Sequence, residues 1–446
     1  MPGHPRTVQI FLASTLYGAA TLAAALDAGL FPPAGRRLLL VTNNAAVPET
    51  TPGPDLAPGF DRLRTRFDGV LSWNGTISPH HPGGWSPRPD DVPLWERHLR
   101  LLWDLGTDDV TLVLESLQVD PALAVARTFP DAPLDVYADG LMSYGPTRSK
   151  LDPLVGTRVR RLLHLDLVPG LRPLLLREFG VRTETVPGEV FTKVLAELAD
   201  ATPLPPAPEE AALLLGQYLA ALDILTPEEE ERLHVRMLRG AAARGHREVV
   251  FKPHPTAPAR WSRMLEDEAD RLGVHLTVLD TPALAEVVYQ RLRPALVAGC
   301  FSTALITAGA FYGLPAARTG TDLLLDRLSP YQNSNRVPVT IVDALLPSLE
   351  DGGAPGDPAE LTGLVQAVGY AMQPQLHPDL RPAAERYLTR RLNSRTRRYF
   401  KRRRLTVLGL PGALPARLGF LPRNPAVRRM ARRARAVQRR LRRRAG

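Results

Sequence analysis

The sequence predicts an α/β protein of two Rossmann-like halves facing each other across a cleft, followed by a basic helical tail. Three observations carry this reading. Short apolar runs alternate with helical patterns through residues 1–199, as in a doubly wound parallel sheet. A proline-rich break at residues 200–210 (DATPLPPAPEE) interrupts the pattern, which restarts at residue 211 and runs to 385. From residue 386 to 446 the chain has no acidic residue.

In the first half, Val8–Leu12 reads as a strand and Leu16–Ala28 as an alanine-rich helix. Arg37–Thr42, Gly69–Ser72, Val110–Leu114 and Leu134–Ala138 read as further strands, with helical stretches such as Val92–Leu105 and Pro121–Phe129 between them. Leu162–Leu175 and Pro187–Leu198 continue this half. In the second half the strands are Ala211–Leu215, Glu248–Lys252, Val274–Leu279 and Ala295–Val297. The helices are Pro227–Gly245, Ala257–Leu272, Pro282–Gln290 and Ser302–Tyr312. No internal repeat, GxGxxG or Walker loop is present, so dinucleotide and ATP P-loop readings lose support. Two such halves joined by a linker make the architecture of a B-type glycosyltransferase.

At 446 residues the chain has room for two cores plus extras. Its single cysteine rules out an internal disulfide framework, and Cys300, after an apolar run, is expected as a buried thiol. Met1–Thr7 lacks the charged start and apolar core of a signal peptide, and no run of 18 apolar residues occurs. A cytoplasmic protein is expected. The net charge of +10 misleads. The last 61 residues hold 22 of the 56 Lys and Arg, leaving 34 bases against 46 acids in residues 1–385. The acidic body gives no sign of nucleic-acid binding.

The tail carries the excess base. Ala384–Leu405 reads as a basic helix and Gly409–Pro425 as a break. Ala426–Arg444 places Val427, Met430, Ala434, Val437 and Leu441 at alternating three- and four-residue steps, with arginines on the other faces. That is a basic amphipathic helix, suited to an anionic membrane. A solvated helix or an RNA-binding tail are the alternatives.

Two motifs in the second half carry chemistry. Lys252-Pro253-His254-Pro255 ends an apolar strand, and Phe301-Ser302-Thr303 follows another and opens a helix. Strand ends are where ligands bind in such sheets. The prolines stiffen the backbone around His254, and a helix start at Ser302 and Thr303 favours an anion. Four of the ten histidines precede proline, so the dipeptide alone is weak. Only His254 also follows an apolar strand and a lysine, and lysine is scarce here, with 4 against 52 arginines. The two motifs suggest a pocket for the phosphate of a nucleotide-activated donor. The structural alternative is that His254 caps a strand and Ser302 a helix.

With these residues in view, the chain resembles bacterial sialyltransferases, in particular the α-2,8-polysialyltransferase group, over roughly residues 6–345. Gln9–Tyr17 is similar to the family's first strand and loop. Tyr137-Ala138-Asp139-Gly140 matches its acidic-acidic-glycine motif, and the Lys252 and Phe301 segments match its His-Pro and Ser/Thr motifs. One acid is missing: Ala138 stands where the family has a carboxylate. The resemblance implies an inverting transfer of sialic acid, or a related nonulosonic acid, from a CMP-activated donor to a glycan hydroxyl. Asp139 would be the base, with Glu115 as a possible substitute, and His254, expected to be protonated, would serve the leaving phosphate with Lys252, Pro255, Ser302 and Thr303.

Gln217 would read the cytosine edge or simply end a strand. Thr15, Tyr17, Asn43 and Asn44 would bind sugar hydroxyls. The polar loop Tyr331–Arg336 is open to either a functional or a structural reading. No Asp/Glu/His cluster has metal-ligand spacing, so no metal or other cofactor is expected in the chemical step. The expected partners are the donor, a glycan acceptor and, through residues 386–446, the inner face of the cell membrane. The nearest rival is a CDP-glycerol polymerase of the teichoic acid type, with His80 or His81 as base. A second is a non-catalytic protein that binds through its tail.

Overall fold

The computed structural model describes residues 6–254 and 260–413. Pro255 and the amphipathic segment 426–444 lie outside them. Among the described residues, twelve strands form two sheets. The first holds β1 (Thr7–Ala13), β2 (Arg36–Val41), β3 (Gly69–Ser72), β4 (Asp109–Glu115), β5 (Leu134–Ala138), β6 (Val159–Leu165) and β7 (Arg182–Val186), in the order β3-β2-β1-β4-β5-β6-β7. The second holds β8 (Ala212–Leu215), β9 (Glu248–Lys252), β10 (His275–Val278), β11 (Leu296–Gly299) and β12 (Ala316–Arg318), in the order β10-β9-β8-β11-β12. Every strand pair in both sheets is parallel. The strand order reverses between β1 and β4, and again between β8 and β11. Each reversal opens a crevice at the carboxyl ends, where such sheets take ligands. This is the two-domain α/β architecture of the B-type glycosyltransferases.

Alternation along the strands sorts side chains onto the two faces of the first sheet. Ile10, Leu12, Leu38, Leu40 and Leu112 pack on one face, and Phe11, Leu39 and Val113 on the other. The second group is continuous with the core of the second domain. Helix Leu16–Asp27 buries Ala19, Ala20, Ala23 and Ala24, so its backbone lies close to its neighbours. Across the domain junction, Phe191 of helix Gly188–Ala201 meets Phe311 edge-on at 5.8 Å. Buried apolar contacts of this kind hold the halves together.

The expected elements agree with the structure within a few residues at most boundaries. Strands β6, β7 and β12 were not anticipated. The expected basic helix Ala384–Leu405 is two helices, Arg381–Arg391 and Arg402–Leu408, separated by a short turn over Thr396–Tyr399. Asn393 causes the break: its Oδ1 accepts from the backbone N–H of Arg395 and Thr396, a local bond that competes with the helix. The start of the tail is also corrected. Leu388, Tyr399, Phe400, Leu405 and Leu410 are buried, and Arg404 donates to the carbonyls of Ala371 and Met372, so the chain stays docked through residues 386–413. The preceding segment reaches back to the first domain, where Asp379 pairs with Arg177 at 2.7 Å. Among the described residues no helix is long and apolar enough to cross a membrane.

Candidate active site

The carboxyl ends of β1, β4 and β5 supply the first wall of the cleft. Glu115 ends β4, and its Oε2 accepts from Ser14 N at 3.0 Å and Ser14 Oγ at 2.5 Å, closing the first crevice across β1. Asp139 follows β5 immediately. Burial raises its pKa first, then the charge of Glu115 and more weakly that of Glu286, and together they push it up to about 7. Its neighbour Gly140 is extended, with φ −123° and ψ 177°, a conformation any residue adopts. A Cβ there would lie 3.1 Å from Thr303 Oγ1 of the other domain, tighter than ordinary contact.

The carboxyl ends of β8 and β11 supply the opposite wall. Gln217 Oε1 accepts from Phe301 N at 3.0 Å, closing the second crevice much as Glu115 closes the first. Ser302 is the N-cap of helix Thr303–Tyr312, its hydroxyl accepting from Ala304 N at 3.2 Å. Thr303 Oγ1 accepts from Leu141 N at 3.3 Å, a direct bond between the Asp139 loop and the Ser302 helix. One cavity of about 390 Å³ joins these groups, lined by Glu115, Asp139, Gln217, Ser302, Thr303 and Asn335 among others. That volume suits a small-molecule site.

Several expected residues stand elsewhere. Lys252 does not line this cavity. Strand alternation turns it inward, where it is 8% exposed and donates to Thr281 O at 3.2 Å. Burial lowers its pKa, opposed by the charges of Glu286 and Asp280. It is a buried structural cation, not the phosphate contact expected. His254 is exposed near the Tyr218 ring (6.3 Å) and is not among the lining residues. Partial burial, then the charge of Lys252, lowers its pKa.

The first-domain sugar contacts are also reassigned. Thr15 caps helix Leu16–Asp27 by accepting from Gly18 N at 2.9 Å. Tyr17 packs edge-on against Phe191 at 5.2 Å, and its buried hydroxyl has no hydrogen bond among the described residues. Asn43 donates to Pro48 O (3.2 Å) and Thr51 O (2.7 Å) and accepts from Ala45 N (3.1 Å), so its amide shapes a loop. Asn44 is exposed and accepts from Thr42 Oγ1 at 2.9 Å. Cys300 is a free, buried thiol whose pKa burial raises.

Sequence reasoning missed Glu286, which is 3% exposed and accepts from Thr307 Oγ1 at 2.7 Å. Its charge reaches Lys252 in its own domain and Tyr17 and Asp139 in the other. A lone acid within the apolar run Ala283–Val288 was the available signal.

Two larger cavities lie apart from the Asp139–Ser302 pair. One, about 750 Å³, sits at the ends of β2 and β3 and is lined by Asn43, His80 and His81. His81 contacts Ala45 O through Nε2 (2.8 Å) and accepts from Gly83 N at Nδ1 (3.1 Å), so both ring nitrogens are engaged. His80 stacks on Trp85 at 6.4 Å. The other, about 710 Å³, lies on the second domain beside Arg318, Tyr387 and Arg398. Among the described residues, no group of three or more His, Cys, Asp or Glu side chains is arranged to hold a metal.

Solved structures with a similar overall course share little sequence with this chain. A UDP-glucosyltransferase from Polygonum tinctorium is 13% identical with a TM-score of 0.42, covering 90% of this chain and 98% of its own. S. aureus MnaA with UDP is 12% identical at 0.42, covering 83% and 97%. The GT-B domain of a Photobacterium damselae sialyltransferase is 12% identical at 0.39, covering 75% and 96%. Among curated proteins no sequence match is found. The sequence model of the α-2,8-polysialyltransferases matches residues 9–321, a span that takes in Asp139, His254 and Ser302. The chain therefore belongs to the α-2,8-polysialyltransferase family, and is a glycosyltransferase of sialyltransferase type, a class that takes a nucleotide-sugar donor and a glycan acceptor.

Proposed function

We propose that this enzyme transfers sialic acid, or a related nonulosonic acid, from a CMP-activated donor to a glycan hydroxyl with inversion. The observation that carries the reading is one pocket with Asp139 on one wall and the Ser302 helix start on the other. The donor's anomeric carbon would lie between them. The acceptor hydroxyl attacks that carbon, its proton passes to Asp139, and the bond to the CMP phosphate breaks with its electrons leaving on the phosphate. A carboxyl held near 7 is matched to that proton transfer at neutral pH. The partial positive charge of the helix start faces the departing anion.

Glu115, held by two bonds from Ser14, is a positioning and charge-tuning group for Asp139 in this scheme. That gives the motif a working base although Ala138 replaces its first acid. His254 would donate an N–H hydrogen bond to the phosphate as charge develops there. All of these are protein groups, and the scheme routes no step through a metal.

His80 and His81 lie in a cavity apart from the Asp139–Ser302 pair, which favours sialyl over glycerophosphate transfer. Arg386, Arg390, Arg397, Arg402 and Arg403 are exposed and lead toward the basic segment beyond residue 413. We assign this region to an anionic membrane surface on the cytoplasmic side.

Calorimetric titration of CMP tests the reading, with CDP, UMP and GMP as comparators and His254→Ala as the variant. Selective CMP binding weakened by His254→Ala is expected. Failure to bind CMP, or equal binding of UMP and GMP, would sink it.

A further inference from the structure

The segment joining β1 to helix Leu16–Asp27 stands behind both acids of the first wall. Ser14 holds Glu115 by the two hydrogen bonds described above. Gly18 follows in the first turn of the helix, where it is buried. Its backbone is helical and outside the left-handed region, so its conformation calls for no glycine. Glycine is also one of the least favourable residues in a helix. Its surroundings supply the reason for it.

A Cβ on Gly18 would lie 2.8 Å from Tyr137 Oη, 3.1 Å from Thr15 Oγ1 and 3.4 Å from Asp139 Oδ2. The contact with Asp139 is ordinary van der Waals contact, so the carboxyl stands directly beside this turn. Thr15 is close because it caps the helix, accepting from Gly18 N at 2.9 Å. The contact with Tyr137 is too short for any real Cβ, and one side must move.

Tyr137 has little room to yield. It is fully buried on β5, and its hydroxyl donates to Leu12 O at 3.0 Å. A close-packed interior passes such a displacement on to its neighbours. Asp139 lies just past Tyr137 at the end of the same strand, so a shift of the tyrosine reaches the carboxyl.

We propose that Gly18 is a positioning residue for the transfer step: the absence of its side chain keeps Tyr137 seated, and so sets where the Asp139 carboxyl meets the acceptor hydroxyl. This rests on the reading of Asp139 as the base. The test measures kcat with CMP-sialic acid, CMP affinity by calorimetry and thermal melting for wild type, Gly18→Ala, Tyr137→Phe, the double variant and Asp139→Asn. In Gly18→Ala, kcat should fall by about ten- to a hundredfold, the loss expected when a reacting group is misplaced by about 1 Å. CMP affinity and the melting temperature should stay near those of wild type. Tyr137→Phe removes the atom in conflict, so adding Gly18→Ala to it should lower kcat by no more than about threefold.

An unchanged kcat in Gly18→Ala would overturn the assignment. So would a loss that Tyr137→Phe does not relieve, or one that CMP affinity and melting temperature share, since either makes the glycine a matter of folding alone. If Asp139→Asn lowers kcat and Gly18→Ala does not, this inference fails by itself. If Asp139→Asn keeps the wild-type kcat, the proposed base falls and this inference falls with it.

Discussion

The two domains close their ligand crevices by the same device and with opposite chemistry. In the first, a carboxylate at the end of β4 is tied to the end of β1 through Ser14. In the second, an amide after β8 is tied to the backbone after β11 through Phe301 N. The first wall presents acids and raises the pKa of Asp139. The second presents hydroxyls, an amide and a helix start, all suited to holding an anion without adding net charge. One scaffold placed twice therefore makes a proton acceptor on one side and an anion holder on the other. The fold supplies the positions, and the residue at each strand end decides the chemistry.

Asp139→Asn should break this contrast most severely. Removing the base is expected to lower kcat by about 10²–10⁴-fold while CMP affinity by calorimetry stays nearly the same. The same variant has a stability signature. Burial and the charge of Glu115 push the Asp139 carboxyl from its ordinary 3.8 up to about 7, so the folded state holds its proton more tightly. Wild-type stability should then fall as pH rises from about 4 to about 7 and level off above, and Asp139→Asn should remove that loss. Urea unfolding of both proteins at pH 5 and pH 8 measures it; a gap that does not widen toward pH 8 would contradict the assignment.

Ser302→Ala acts on the opposite wall. Loss of the cap should cost about 1 kcal/mol in unfolding and weaken CMP binding by about tenfold, with a smaller effect on the pH profile. Gln217→Leu should leave Phe301 N without its acceptor, destabilising the second domain by about 1–3 kcal/mol in chemical unfolding. Glu115→Gln is the mildest change. It removes a charge that raises the Asp139 pKa but leaves burial in force, so the inflection of the rate profile should move below 7 without disappearing.

The residues gathered in the pocket were legible in the sequence where position along a strand decides placement. Asp139, Glu115, Gln217 and Ser302 all follow apolar runs, and buried parallel strands print such runs plainly. Sequence reasoning failed where the third dimension decides. Lys252 ends the same strand as the His-Pro motif, yet alternation turns it into the interior, toward the unsuspected Glu286. Asn43 and Thr15 carry the right polar groups and use them on their own backbone.

The missed strands have similar causes. In β6, Arg160 and Arg161 interrupt the apolar run because they pair with Asp135 on the neighbouring strand, at 3.0 and 2.9 Å. Edge strand β7 is mostly exposed and polar, and β12 has only three residues. The loop that brings Asn335 to the pocket gave an ambiguous signal, since most of its polar groups build the loop itself.

The most direct test of the central claim is the pH dependence of kcat/KM with CMP-sialic acid, measured for wild type and Asp139→Asn from about pH 5 to 9. A base works only when deprotonated, so wild-type activity should climb with pH and level off above about 7, and the residual activity of Asp139→Asn should lose that inflection. A flat wild-type profile, or the same inflection persisting in Asp139→Asn, would show that another group takes the proton.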